Sequence, residues 1–96
     1  MSTYIVLMKL TDQGIRTVQD TPERIETSVN SLETLGGKVE GFYATLGEYD
    51  YIACIDAPNE AIVMRFLLGL GAAGEVRTTT MKALSRAEFE AIASKL

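Results

Sequence analysis

A chain of 96 residues, 47% of them hydrophobic, has the length of one domain spanning 1–96; it buries roughly 60–65% of its chain surface on folding, so its apolar content is generous for its size. Thirteen acids against nine bases leave a net charge of −4, and the bases are scattered from Lys9 to Lys95, which argues against nucleic acid and anionic membrane surfaces as partners. The absence of histidine and the single cysteine remove the commonest general base and metal ligand, any intrachain disulfide and any CxxC site, so no metal and no cofactor is expected.

Thr3 to Leu10 reads as a strand, with Tyr4, Val6, Met8 and Leu10 on one side and Ile5, Leu7 and Lys9 on the other. Both sides are apolar over most of its length, unlike the clean alternation of a strand with one wet face. Thr11-Asp12-Gln13-Gly14 is a polar break, and the stretch to Asp20 has no firm period, so a loop with one helical turn is expected there. Thr21-Pro22-Glu23 then opens a helix, with Thr21 as N-cap and Pro22 at the first helical position. Its stripe is Ile25, Val29, Leu32 and Leu35, and Gly36-Gly37 ends it.

Lys38 to Leu46 is the second strand, with Val39, Gly41, Tyr43 and Thr45 on one face and Glu40, Phe42, Ala44 and Leu46 on the other. The turn Gly47-Glu48-Tyr49-Asp50 leads into a third strand, Tyr51 to Ile55. So short a connection predicts an antiparallel hairpin. Ala61 to Leu70 is a second helix, apolar nearly all round, with Arg65 its lone charge. Such a helix is usually covered on more than one side. Gly69, Gly71 and Gly74 loosen and end it, and Glu75 to Leu84 is a fourth strand. Ser85-Arg86-Ala87-Glu88 fits a capping box opening a short terminal helix with Phe89 and Ile92 apolar.

The order is β-α-β-β-α-β plus a terminal helix, the ferredoxin-like α+β pattern: a four-stranded antiparallel sheet, first and third strands central, both helices on one face. No helix of the chain is left to cover the opposite face. Its apolar surface would run to several hundred Å², more than a typical monomer exposes. Two subunits are therefore expected to pack sheet to sheet, with the second helix offering a contact for a higher oligomer. No apolar run reaches about 18 residues and no leader pattern opens the chain, so a cytoplasmic protein without a membrane span is expected.

Several stretches carry a family resemblance. They are Thr11-Asp12-Gln13-Gly14, Thr21-Pro22-Glu23-Arg24, Leu35-Gly36-Gly37 with Gly41-Phe42-Tyr43, Thr45 through Asp50, and Gly74-Glu75-Val76-Arg77-Thr78. Together, and in order, they resemble the GYD family, small bacterial and archaeal proteins of the dimeric α+β barrel type; the name motif stands here with a glutamate inserted, Gly47-Glu48-Tyr49-Asp50. The resemblance implies a fold and a dimeric assembly. It brings no assigned biochemical activity and no catalytic residue. Proteins sharing the architecture range from cofactor-independent monooxygenases and lactone isomerases to haem enzymes and ligand sensors, so fold alone is a weak guide to function.

The candidate chemistry is sparse. Asp50 and Tyr49 form a carboxylate–phenol pair suited to taking a proton and stabilising an oxyanion, or else to plain turn chemistry. Thr11 and Gln13, just past the first strand, are candidate ligand contacts or polar turn residues, and Gly14 permits close backbone approach. Tyr4, Tyr43 and Tyr51 are candidates to line a cavity between helices and sheet, or between two sheets, for an apolar or aromatic molecule. Arg77 and Lys9 suit a bound carboxylate or a salt bridge with Glu40 or Glu75. Cys54 reads as a small core residue. The primary reading is a homo-oligomeric small-molecule-binding module. Beside it stand a cofactor-independent isomerase or monooxygenase-like enzyme using Asp50 and tyrosines, and a structural or regulatory assembly protein.

Overall fold

The computed structural model describes residues 1–96. Its elements are β1 (Ser2–Leu10), α1 (Asp12–Arg16), a 3-10 turn (Val18–Asp20), α2 (Thr21–Thr34), β2 (Lys38–Ala44), β3 (Tyr51–Ala57), α3 (Glu60–Ala73), β4 (Val76–Ala83) and α4 (Arg86–Ala93). The four strands form one sheet in the order β2-β3-β1-β4, antiparallel throughout. β1 and β3 are central, as the ferredoxin-like pattern requires.

One face of the sheet carries the core. Tyr4, Val6 and Met8 of β1, Ala53, Ile55 and Ala57 of β3 and Val76 of β4 are buried there with Leu32 of α2 and Val63 and Phe66 of α3. Val6, Leu32 and Ile55 are the largest fully buried side chains, each worth about 1.5–3 kcal/mol of apolar burial. Yet only 12 of the 96 residues are buried in the lone chain, a small core for so apolar a composition.

The other face has no covering layer. Pairing places Ile5 opposite Cys54 and Met81, Leu7 opposite Ile52 and Thr79, and Tyr43 opposite Ile52. Residues paired across an antiparallel ladder share a face, so these side chains all lie away from the helices. Ile5, Leu7 and Ile52 are half-buried only by their neighbours, and Tyr43 stands 67% exposed.

Several local expectations shift. The helical turn expected after β1 is present as α1, and a 3-10 turn follows it; Thr11 caps α1, its Oγ1 accepting from the amide of Gly14 at 3.0 Å. The N-cap of α2 is Asp20 and Thr21 is already helical, with Pro22 in the first turn; the preceding 3-10 turn supplies a helical entry, so no side chain is needed as a cap. β2 has a bulge between Val39 and Gly41. Glu40 is the extra residue, and the bulge resets the alternation: Val39 and Phe42, expected on opposite faces, both pack against the core. Gly69 and Gly71 lie within α3 rather than ending it; Gly74, at φ 89°, is the left-handed C-cap. α3 buries Val63 and Phe66 but leaves Met64 and Leu68 more than half exposed. The capping box of α4 forms, Ser85 and Glu88 bonding reciprocally, while Phe89 and Ile92 remain exposed.

A tight crossing joins the end of β1 to the start of β4. The amide of Thr11 donates to the carbonyl of Glu75 at 2.9 Å, and Thr11 Oγ1 donates to the carbonyl of Gly74 at 2.5 Å. Gly14 is buried here, and a Cβ on it would overlap the Glu75 carbonyl oxygen. The crossing therefore admits no side chain. Gly14→Ala is expected to lower the unfolding free energy by at least about 2 kcal/mol in urea titration. Gly69→Ala, where nothing lies within 4 Å of the new methyl, is expected to raise it by up to about 1 kcal/mol. Equal losses in both variants would show that the Glu75 contact is not the constraint.

Candidate functional site

The helix-covered face holds a cavity of about 430 Å³ lined mostly by apolar side chains. It exists because α2 and α3 stand apart over the middle of the sheet. Val6, Met8, Phe42, Ala53 and Ile55 form its floor, Ile25, Ser28 and Val29 of α2 one wall, and Phe66, Leu70 and Ala73 of α3 the other. The stripe expected on α2 is real, but only Leu32 is fully buried; Ile25 and Val29 are half-buried because they border this space.

The polar lining comes from Asp20, from Thr21, Glu23, Arg24, Thr27 and Ser28 of α2, and from Glu75 just before β4. The guanidinium of Arg24 has Nε 3.5 Å from Glu75 Oε1 and Nη2 3.7 Å from Asp20 Oδ2, and Nη2 donates to Thr17 Oγ1 at 2.7 Å. Its Nη1 is buried with no hydrogen-bond partner in the protein. Tyr51 packs its ring against Phe42 with centroids 5.3 Å apart. The Tyr51 hydroxyl lies 3.5 Å from Thr21 Oγ1, the outer limit of a hydrogen bond.

Of the site residues singled out in the sequence, Tyr51 alone borders this cavity. Asp50 lies at the mouth of the β2–β3 turn and binds backbone: its Oδ2 accepts from the amide of Leu10 at 2.8 Å, its own amide donates to the Met8 carbonyl at 2.9 Å, and its carbonyl accepts from the amide of Thr45 at 2.8 Å. Tyr49 sits beside Lys9, whose Nζ is 5.4 Å from the ring centroid, while Lys9 also reaches Glu48 at 3.9 Å. Thr11 is engaged in the crossing described above. Gln13 is exposed and lies against Gly74, where a Cβ would meet its Oε1 at 2.8 Å. Tyr43 is on the open face, and Tyr4 is in the core at 5% exposure. Arg77 donates to the carbonyls of Gly71 and Val76 and leaves Glu75 to Arg24.

Arg24, Glu75 and Thr21 receive no binding role from sequence reasoning. The only signal is that each lies in a stretch carrying the family resemblance. Those stretches meet in space: Thr21 to Arg24, Gly74 to Glu75, Thr11 to Gly14 and Asp50 all gather at one end of the sheet.

Cys54 is not a core residue. It faces the open side, partly exposed, and burial raises its thiol pKa, with the carboxylates of Asp56 and Glu40 adding to the rise. Asp56 moves the opposite way: the Thr3 hydroxyl, donating at 2.6 Å, holds its carboxyl below the ordinary value. No group of three or more His, Cys, Asp and Glu side chains is placed to hold a metal ion, and no helix is long and apolar enough to cross a membrane.

Residues 4–93 match the family model described as the GYD domain. The Thermus thermophilus protein named "Glutamine synthetase and cystathionine beta-lyase binding protein" is 40% identical over 90 residues, which cover 93% of this chain and 95% of that one. Among solved structures, FFRP-DM1 superposes with a TM-score of 0.61 at 23% identity, over 88% of this chain and 100% of its own. The leucine response regulatory protein of Mycobacterium tuberculosis superposes at 0.57 and 19% identity, over 88% of this chain and 51% of its own. At those identities the structural likeness speaks to the fold alone.

Two measurements follow from the geometry. Asp50→Ala strips the acceptor from a half-buried amide and is expected to cost about 1–3 kcal/mol of stability by urea titration. At protein concentrations low enough to leave the sheet face open, alkylation of Cys54 by iodoacetamide is expected to keep accelerating beyond pH 9.0, the ordinary thiol value, and Asp56→Asn to bring its midpoint down. A midpoint below 9.0 in the parent protein would contradict the placement of Cys54 beside two carboxylates.

Proposed function

We propose a binding role for this chain, which belongs to the GYD family: it is the subunit of a homo-oligomeric module that holds a small, largely apolar molecule between its helices and its sheet. The observation that carries this reading is the cavity of about 430 Å³, with 14 of its 21 lining residues hydrophobic. That volume and that balance of lining suit a small-molecule site. Asp50 and Tyr49 are not among the lining residues, so the geometry supports binding over an isomerase or oxygenase that uses them.

Homo-oligomerisation is supported by the bare sheet face. Ile5, Leu7, Ile52, Tyr43 and Met81 together make an apolar surface that a monomer would leave in water. A second copy offers the same surface, as a twofold interface requires. Packing two such faces also protects the sheet without disturbing the cavity, which lies on the opposite side.

A second reading is favoured by the relative named for binding glutamine synthetase and cystathionine beta-lyase: the assembled module docks on metabolic enzymes. The side chains of Met64 and Leu68 on α3, exposed by 58% and 65%, are surface that such a partner would cover. The two readings are compatible, since these side chains are not part of the cavity lining.

Light scattering at micromolar concentration is expected to return a dimer or larger, and Leu7→Asp a monomer. Ser28→Phe, which fills the cavity from α2, is expected to abolish fluorescence enhancement of a naphthalene-type dye with the oligomeric mass unchanged. A monomeric parent protein would sink the sheet-to-sheet assembly. Undiminished dye binding in the Ser28→Phe variant would sink the ligand site.

A further inference from the structure

The polar part of the cavity lining narrows what the cavity can hold. Arg24 is the only base among the 21 lining residues, against three acids, Asp20, Glu23 and Glu75. Its charge is already committed to Glu75 and Asp20, and its Nη2 to Thr17. The lining therefore carries one positive and three negative groups. A carboxylate entering it would face an excess of like charge, and the one cation there already faces two carboxylates, which weakens its pull on a third.

The uncharged groups have the opposite surplus. The hydroxyl of Tyr51 has a single contact, at 3.5 Å to Thr21 Oγ1, too long to satisfy a donor. Arg24 Nη1 is a further donor with no protein partner. The hydroxyl belongs to a residue of the β3 floor, where its neighbours Phe42, Ala53 and Ile55 are apolar, while the other hydroxyls of the lining, those of Thr21, Thr27 and Ser28, lie on α2. A ligand oxygen that accepts one hydrogen bond would satisfy it, while the rest of the molecule replaces water against Phe42, Ile25 and Phe66.

We propose that the molecule held in this cavity is uncharged and apolar and presents one carbonyl-type oxygen to the hydroxyl of Tyr51. The proposal rests on the binding role argued above and narrows it to a ligand class: ketones, esters, lactones or amides on an apolar body, and not free acids. Tyr51 is the specificity residue. Arg24 positions the polar wall and shields the cavity from anions through the carboxylates it gathers.

The test uses three matched probes on the full chain: acetonaphthone, ethylnaphthalene and naphthoate, with affinities read by fluorescence or calorimetry at pH 7. Acetonaphthone is expected to bind about fivefold tighter than ethylnaphthalene, the size of one neutral hydrogen bond, and naphthoate to bind more weakly than both. In Tyr51→Phe, which deletes one oxygen making no close bond, the ketone preference is expected to fall to about one- to twofold on the same scale while ethylnaphthalene binds as before. Because the readout is a ratio within each variant, a general loss of stability does not mimic it. If ethylnaphthalene binds the parent protein as well as acetonaphthone, or if naphthoate binds most tightly, the ligand class is wrong while the cavity remains a binding site. If Tyr51→Phe keeps the ketone preference, Tyr51 is not the donor. If none of the three binds, the cavity's binding role falls together with the proposal.

Discussion

The constraint on which the molecule depends is that its sheet is apolar on both faces while the chain supplies helices for only one. β1 and β3 are central and carry large apolar side chains outward as well as inward, Ile5 and Leu7 on one and Ile52 on the other. Water cannot be the solvent for both faces without a cost of roughly 25 cal/mol for each Å² left bare. The helical layer answers for the inner face. The outer face leaves Tyr43 and Met81 at 67% and 48% exposure, and the buried core amounts to ten hydrophobic residues. In the proposed assembly, packing against a second copy would be part of folding rather than an addition to it.

Within the subunit, the polar residues that look most chemical are occupied by architecture. At the end of the sheet where β1 stops and β3 and β4 begin, Thr11, Gly14, Asp50, Arg24 and Glu75 tie together segments far apart in sequence. Asp50 links to Leu10 across 40 residues and Thr11 to Gly74 across 63. A half-buried backbone amide left without its acceptor is costly, so these carboxylates and hydroxyls are held to their partners. That is the physical reason why a turn rich in ionisable groups works here as a fastening. The crossing leaves no room for a side chain at Gly14 and sets Arg24 against Glu75.

The helical layer, by contrast, is loosely closed. α2 presses Leu32 fully into the core, but toward its N-terminal half Ile25 and Val29 border the cavity. The space is half open to solvent and mostly apolar in lining, the setting in which small-molecule sites occur. The fold is thus rigid at the sheet end and roomy between the helices. In the proposed assembly, a bound molecule and the oligomer interface would occupy opposite faces of the same β-strands. Val6 borders the cavity while its neighbours Ile5 and Leu7 face the open side.

Element order, strand pairing, the two-faced apolar pattern and the capping box at Ser85 are all legible along the chain, because periodicity, caps and turn residues act over a few neighbours. Even there, one inserted residue is invisible: the bulge at Glu40 turns Phe42 inward, and alternation read residue by residue cannot register an irregularity that only pairing with β3 defines. The candidate site is legible only at Tyr51. Arg24 and Glu75 are far apart along the chain and look like ordinary surface charges; only the β1–β4 crossing brings them to 3.5 Å. Likewise, nothing near Asp50 in sequence betrays that Leu10 donates to it. The sequence by itself determined which faces must be covered, since burial follows from side-chain type and spacing. Tertiary structure decided which polar groups are spent and where space is left, since both depend on segments that meet only after the chain has folded.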